Sequence, residues 1–162
     1  GLGVCTLTKG GARALRDLAL FRPHRDAFAT TLTTTDDGFS RKWERAAALP
    51  AARIATLRRF HDAGIFTWVS LEPVLDTEAT KQIIRETHGF VDLYKVGRVN
   101  YIDLTKTTDW ERFTHEVLDV LHQVGARHYV KRDLQPFLPA DYPNVKRVPQ
   151  YHAPVPVKQS AA

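Results

Sequence analysis

Residues 66–76 read FTWVSLEPVLD, and this stretch decides the fold. Its first part, 66–71, is an aromatic and β-branched run of strand length, suited to a pleated and buried surface. The run is expected to stop at Glu72-Pro73, because proline has no N–H to give a sheet ladder. A helical pattern then opens at Asp76. A buried strand that ends in a carboxylate is how an α/β enzyme presents a functional group, since the crevice lies at the carboxyl ends of parallel strands.

The same arrangement recurs on both sides of this stretch. Upstream, residues 4–8 read as a short strand ending at Lys9-Gly10-Gly11, where glycines permit a tight turn or close backbone approach. A modest helix follows over 12–20, with Leu15 and Leu18 pointing inward and Pro23 closing it. Residues 27–33 form the next strand, followed by the polar run 33–38 and a linker at 40–50, SRKWERAAALP. Pro50 then starts a helix on which Ile54, Leu57 and Phe60 recur at helical spacing, and Gly64 sits just past its end.

Downstream, Asp76 is the expected N-cap of a helix that buries Ile83 and Ile84 and stops at Gly89. A strand over 91–96 ends at Gly97. Thr108 and Glu111 read as a capping box ahead of Trp110, Phe113, Val117, Leu121 and Val124, with Gly125 as the stop. Residues 128–131 are the last strand. Beyond Leu134, prolines at 136, 139, 143, 149, 154 and 156 mark a tail that frays, so the domain is expected over 1–134 and a proline-rich tail over 135–162.

This β-α alternation, with strand starts roughly 25 to 40 residues apart, is the signature of an α/β fold with a parallel sheet, the partial TIM-type (β/α) barrel being the expected form. Right-handed crossovers put every strand's C-terminal end on one rim. That rim collects Lys9, residues Thr33, Thr34, Thr35, Asp36 and Asp37, then Glu72, Lys95, Asn100, Lys131, Arg132 and Asp133. Loops are polar in any protein, so the rim is a candidate site by analogy with the fold.

Composition narrows the class. With 162 residues, 43% of them hydrophobic, the chain can bury the core of one domain. No apolar run reaches the roughly 18 residues of a membrane span, and no secretion signal opens the sequence. The single cysteine, Cys5, excludes an internal disulfide framework and favours a reducing, cytoplasmic setting. A net charge of +5 favours polyanions such as nucleic acid or anionic cofactors as partners. The seven histidines show no metal-like spacing, and His61, His88 and His122 read as surface residues. Arg53, Arg58 and Arg59 make part of one helix basic, which reads first as a solvated face and second as a nucleic-acid contact. The sequence contains no methionine. A longer parent continuing upstream of Gly1 is therefore expected.

Several segments, in order, resemble a known family: LTKGG at 7–11, TTLTTTDD at 30–37, SRKWE at 40–44, LPAARIATLRRFHDAGIFTWVSLEPVLD at 49–76 and VDLYKVGRVNY at 91–101. Together they are similar to radical S-adenosylmethionine proteins of the DNA repair photolyase group, related to spore photoproduct lyase, over about residues 4–132. The resemblance implies a partial barrel in which a [4Fe-4S] cluster, held by a CxxxCxxC loop, binds S-adenosylmethionine. Reductive cleavage would then yield a 5'-deoxyadenosyl radical that abstracts hydrogen from a substrate such as nucleic acid. This sequence has no CxxxCxxC, and Cys5 alone cannot hold a cluster. The chain thus reads as the C-terminal portion of such an enzyme, the cluster loop lying in the upstream part of the parent, or as a degenerate relative.

By the same resemblance, Lys9 would meet the cofactor's carboxylate as a point charge, the alternative being an exposed turn lysine. Thr31 or Thr33, whichever faces inward, would hydrogen-bond its ribose or amino acid group, against simple β-propensity. Glu72 would bind ribose hydroxyls or a polar substrate group, against a loop salt bridge. Lys95 and Asn100 are rim candidates without an assigned role. Relatives commonly read WEP where this chain has Trp43-Glu44-Arg45, which leaves the conformation after Glu44 open. Two other readings stand beside this one: a cluster-free α/β enzyme with Lys95 or Lys9 as a Schiff-base or general-base lysine, and a nucleic-acid-binding module without chemistry.

Overall fold

The computed structural model describes residues 2–100 and 104–142. Five strands, β1 (Cys5–Leu7), β2 (Ala27–Thr31), β3 (Phe66–Val74), β4 (Leu93–Arg98) and β5 (His128–Val130), form one sheet in sequential order. Every neighbouring pair is parallel. A 3-10 helix (Gly11–Leu20) fills the first gap, α1 (Asp37–Trp43) and α2 (Pro50–Asp62) the second, α3 (Thr77–Thr87) the third, and α4 (Leu104–Thr107) and α5 (Trp110–Gln123) the fourth. A further 3-10 helix, Arg132–Phe137, follows β5. This is the β/α progression of a partial TIM-type barrel, with all strand C-termini on one edge.

Two clusters of apolar side chains divide the faces of the sheet. Phe28, Val69, Leu71, Tyr94 and Val96 pack with Leu57 and Phe60 of α2, Ile83 and Ile84 of α3 and Val117 and Leu121 of α5. Phe28 stacks on Phe60 with ring centroids 3.8 Å apart, which locks β2 onto α2. Burying each such ring contributes about 1.5–3 kcal/mol. The alternating residues Ala27, Ala29, Phe66 and Trp68, with Leu93 beside them, form a separate small cluster. Leu15 and Leu18 of the first 3-10 helix pack against the main core as expected. The Asp76 side chain accepts from Ala79 N and starts α3, Pro50 occupies the first turn of α2, and Gly64 ends it at φ 76°.

Elsewhere the boundaries differ from expectation. β3 does not stop at Glu72-Pro73; it continues to Val74 across a register shift relative to β4, where a proline is tolerated because the ladder is already irregular. The Glu72-Pro73 peptide is cis. β2 ends at Thr31, short of Thr33. The polar run and linker at 33–50 contain α1, capped by Asp36, whose side chain accepts from Phe39 N. β4 runs through Gly97 to Arg98. The cap of α5 is Asp109, which accepts from Arg112 N, and not Thr108. Packing continues past Leu134, since Phe137, Leu138 and Tyr142 lie against the core. Tyr101 and residues 143–162, most of the expected tail, lie outside the described residues. No helix among the described residues is long and apolar enough to cross a membrane.

Candidate functional site

At the C-terminal edge, Lys9, Thr33, Trp43, Glu44, Pro73 and Asn100, with Leu75 and Val99, line a cavity of about 230 Å³. Four connections build it. Lys9 follows β1, Thr33 follows β2, Pro73 lies in the last part of β3, and Asn100 follows β4. Trp43 ends α1 and Glu44 is its C-cap, so a helix spanning the polar run and the start of the expected linker supplies one wall.

The wall is anchored by a buried charge. Arg53 of α2 is fully inaccessible and donates from Nη1 to the Thr31 carbonyl at 2.8 Å. Its Nη2 donates to Ser40 Oγ at 3.1 Å and to Glu44 Oε2 at 2.6 Å. On the other side of Glu44, Lys9 Nζ forms an ion pair 2.8 Å from Oε1, in a geometry that leaves Oε1 without an aligned hydrogen bond. Burial by itself raises the Glu44 carboxyl; the Arg53 hydrogen bond, the close Lys9 ammonium and the charges of both outweigh it and hold the group below its ordinary value. Arg53 therefore belongs neither to a solvated face nor to a nucleic-acid contact. It shares a basic helix with Arg58 and Arg59, both of which are exposed, but its own side chain turns toward the end of β2.

Of the two threonine candidates, Thr33 lines the cavity. It is 1% exposed, and its Oγ1 has no hydrogen-bond partner among the described residues. Thr31 is buried in register with Ser70, and its carbonyl receives Arg53. Asn100 reaches the cavity while donating from Nδ2 to Asp133 at 2.7 Å.

Two expected rim residues sit apart from this cavity. Glu72 pairs with Lys131, which also donates to Ser70 Oγ at 3.2 Å. Lys95 lies with its ammonium 3.9 Å over the Trp68 ring, and Trp68 Nε1 donates to Cys5 Sγ at 3.4 Å. Asp36 and Asp37 are spent on α1, the first as its cap and the second in an ion pair with Arg41. Sequence reasoning missed Trp43 and Glu44 as wall residues, although Asp36 three residues before Phe39 was a readable helix start.

Among the described residues no group of three or more His, Cys, Asp or Glu could hold a metal ion. A [4Fe-4S] cluster therefore does not fit the residues of this chain, which has one cysteine. An amino-acid-bearing cofactor does fit: the cavity offers an unpartnered buried hydroxyl from Thr33 together with the Lys9 ammonium and the Glu44 carboxylate.

The fold and this rim define an α/β protein with a partial TIM-type barrel and a cavity at the strand C-termini. Among solved structures, SuiB from Streptococcus suis bound to S-adenosylmethionine has the same fold, with a TM-score of 0.59 and 12% identity over 78% of this chain. A second crystal structure of SuiB gives a TM-score of 0.61 and 14% identity over the same share. The shared architecture is the parallel β/α progression of a partial barrel. The chain spans 32% of the length of SuiB. No family model and no curated protein matches the sequence.

Proposed function

We propose that this chain is the cofactor-facing wall of a radical S-adenosylmethionine enzyme of the photolyase-like group, with its cluster held by residues outside this chain. The observation that carries the reading is the unpartnered Thr33 hydroxyl, 1% exposed, in a cavity shared with Lys9 and Glu44. A buried hydroxyl without a partner is unfavourable unless a ligand satisfies it.

When bound and reductively cleaved, S-adenosylmethionine supplies a radical able to abstract hydrogen. This chain's own part is to bind and orient. Lys9 would hold the carboxylate of the methionyl group, Thr33 would donate to or accept from a polar group of the cofactor, and Asn100 would meet it from the β4 side. Glu44 keeps Lys9 aimed into the cavity, and Arg53 keeps Glu44 in place. Trp43 and Leu75 give the cavity apolar lining. Glu72, outside the cavity, would face the substrate. The net charge of +5 favours a polyanionic substrate, nucleic acid among them, in a reducing cytoplasmic setting.

Saturation-transfer NMR on the full chain with S-adenosylmethionine tests this. Ribose and methyl signals should respond, and the Lys9→Gln variant should weaken the response. A folded chain that gives no response would overturn the reading.

A further inference from the structure

We propose that the sheet face opposite the helices carries an oxyanion subsite, formed by Lys95 of β4 and Lys131 after β5 with Ser70 of β3, that takes a carboxylate or phosphate group of a small ligand. The subsite is separate from the cavity at Lys9 and Thr33, and the inference does not rest on the function proposed above.

Register brings these groups together. Ser70 stands beside Lys95, and Lys95 beside Tyr129, two residues before Lys131. In a parallel sheet, paired residues share a face, so the three side chains project from adjacent strands toward the same side. Lys131 donates to Ser70 Oγ at 3.2 Å and pairs with Glu72.

Charge leaves the group one anion short. The group holds two ammonium groups and one carboxylate: Glu72 is engaged by Lys131, and the Lys95 ammonium rests on the Trp68 ring at 3.9 Å with no carboxylate partner among the described residues. An aromatic face compensates a cation less than an anion does. Burial chiefly pushes the Lys95 ammonium below its ordinary value; Cys5 opposes that shift, and the charge of Lys131 adds to it.

The backbone is built to keep Lys131 close. A Cβ on Gly97 of β4 would lie 2.8 Å from Lys131 Cδ and 3.1 Å from Glu72 Cδ. Glycine at this position lets both side chains lie across β4, which sets Lys131 beside Lys95. Groups held on three strands need no rearrangement to receive an anion.

The test uses the full chain with inorganic phosphate and acetate as probes. In the wild-type protein, amine-labelling rates at each lysine, read by mass spectrometry, should fall about tenfold at Lys95 and Lys131 with one or both probes and stay unchanged at the exposed Lys42, as one lost charge-assisted contact per site implies. Protection by phosphate alone assigns a phosphoryl ligand, and protection by acetate alone a carboxylate. Titration calorimetry of Lys95→Gln should show about tenfold weaker binding, with Lys42→Gln unchanged. Equal protection at Lys42, no protection at Lys95, or unaltered binding by folded Lys95→Gln overturns the proposal.

Discussion

Arg53 Nη2 and Glu44 Oε2 stand 2.6 Å apart, with Arg53 fully buried and the Glu44 side chain 4% exposed. This pair ties α2 to the end of α1, and through the Thr31 carbonyl to the end of β2. Replacing Arg53 with methionine leaves the buried Glu44 carboxylate to Lys9 alone and the Thr31 carbonyl without its Arg53 donor. Urea denaturation of Arg53→Met should show a loss of about 3–5 kcal/mol. Lysine at this position restores the charge but not the fork, so Arg53→Lys should recover only part of it. A loss under about 1 kcal/mol for the methionine variant would show that the pair does not organise the wall.

Acid should weaken the same wall. The folded-state value of Glu44 lies below the ordinary 4.5, so its stabilisation is complete above that pH and is lost as pH falls through the folded value. Asp26, which accepts from the backbone N–H groups of Val4 and Arg22, is held below its ordinary 3.8 and acts with the same sign. Thermal midpoints measured across acidic pH should therefore decline below the ordinary carboxylate range. Glu44→Gln should show a shallower decline; an identical acid limb would remove Glu44 from the account.

Thr33 separates binding from folding. Its Oγ1 makes no hydrogen bond among the described residues, so Thr33→Val, similar in shape, should leave the melting temperature equal or higher. The same substitution should weaken S-adenosylmethionine binding about tenfold. A drop in melting temperature would mean that the hydroxyl serves the fold.

The start of α5 gives a sharp comparison. Asp109 accepts from Arg112 N at 2.9 Å. Asp109→Ala should destabilise the chain by about 1 kcal/mol, and Thr108→Ala by much less. The reverse order in chemical denaturation would restore Thr108 as the cap.

Among the described residues β1 lies at the edge of the sheet and pairs only with β2, while Leu2, Val4 and Leu7 are 93, 53 and 49% exposed. An apolar edge with unpaired backbone groups is a template for strand addition. Sedimentation velocity should show concentration-dependent association of the 162-residue chain, reduced in Val4→Lys. A monomer at all concentrations would contradict this.

Much of the fold was legible because it is written in local patterns. The apolar run at 66–71, the Asp76 cap and the Pro50 to Gly64 frame of α2 each depend on neighbours within a few residues, and each stands where the sequence put it. Boundaries set by partners across the sheet did not read. Proline would end an isolated strand, but β3 continues past Glu72-Pro73 because β4 pairs with it again at Val74 and Arg98. Gly97 looked like a stop, yet it lies within β4 and gives room to Lys131 and Glu72.

By itself the sequence determined the α/β alternation, the order of parallel strands and the set of polar residues at their ends, since those follow from hydrophobic period and turn chemistry along the chain. Only tertiary structure decided which of them meet. Lys9, Thr33 and Asn100 share a cavity, whereas Glu72 and Lys95 lie outside it. Arg53 is a buried anchor despite its place in a basic helix. The physical reason is that a side chain's role is fixed by register and burial between elements far apart in sequence, and a desolvated charge settles only where a distant partner compensates it.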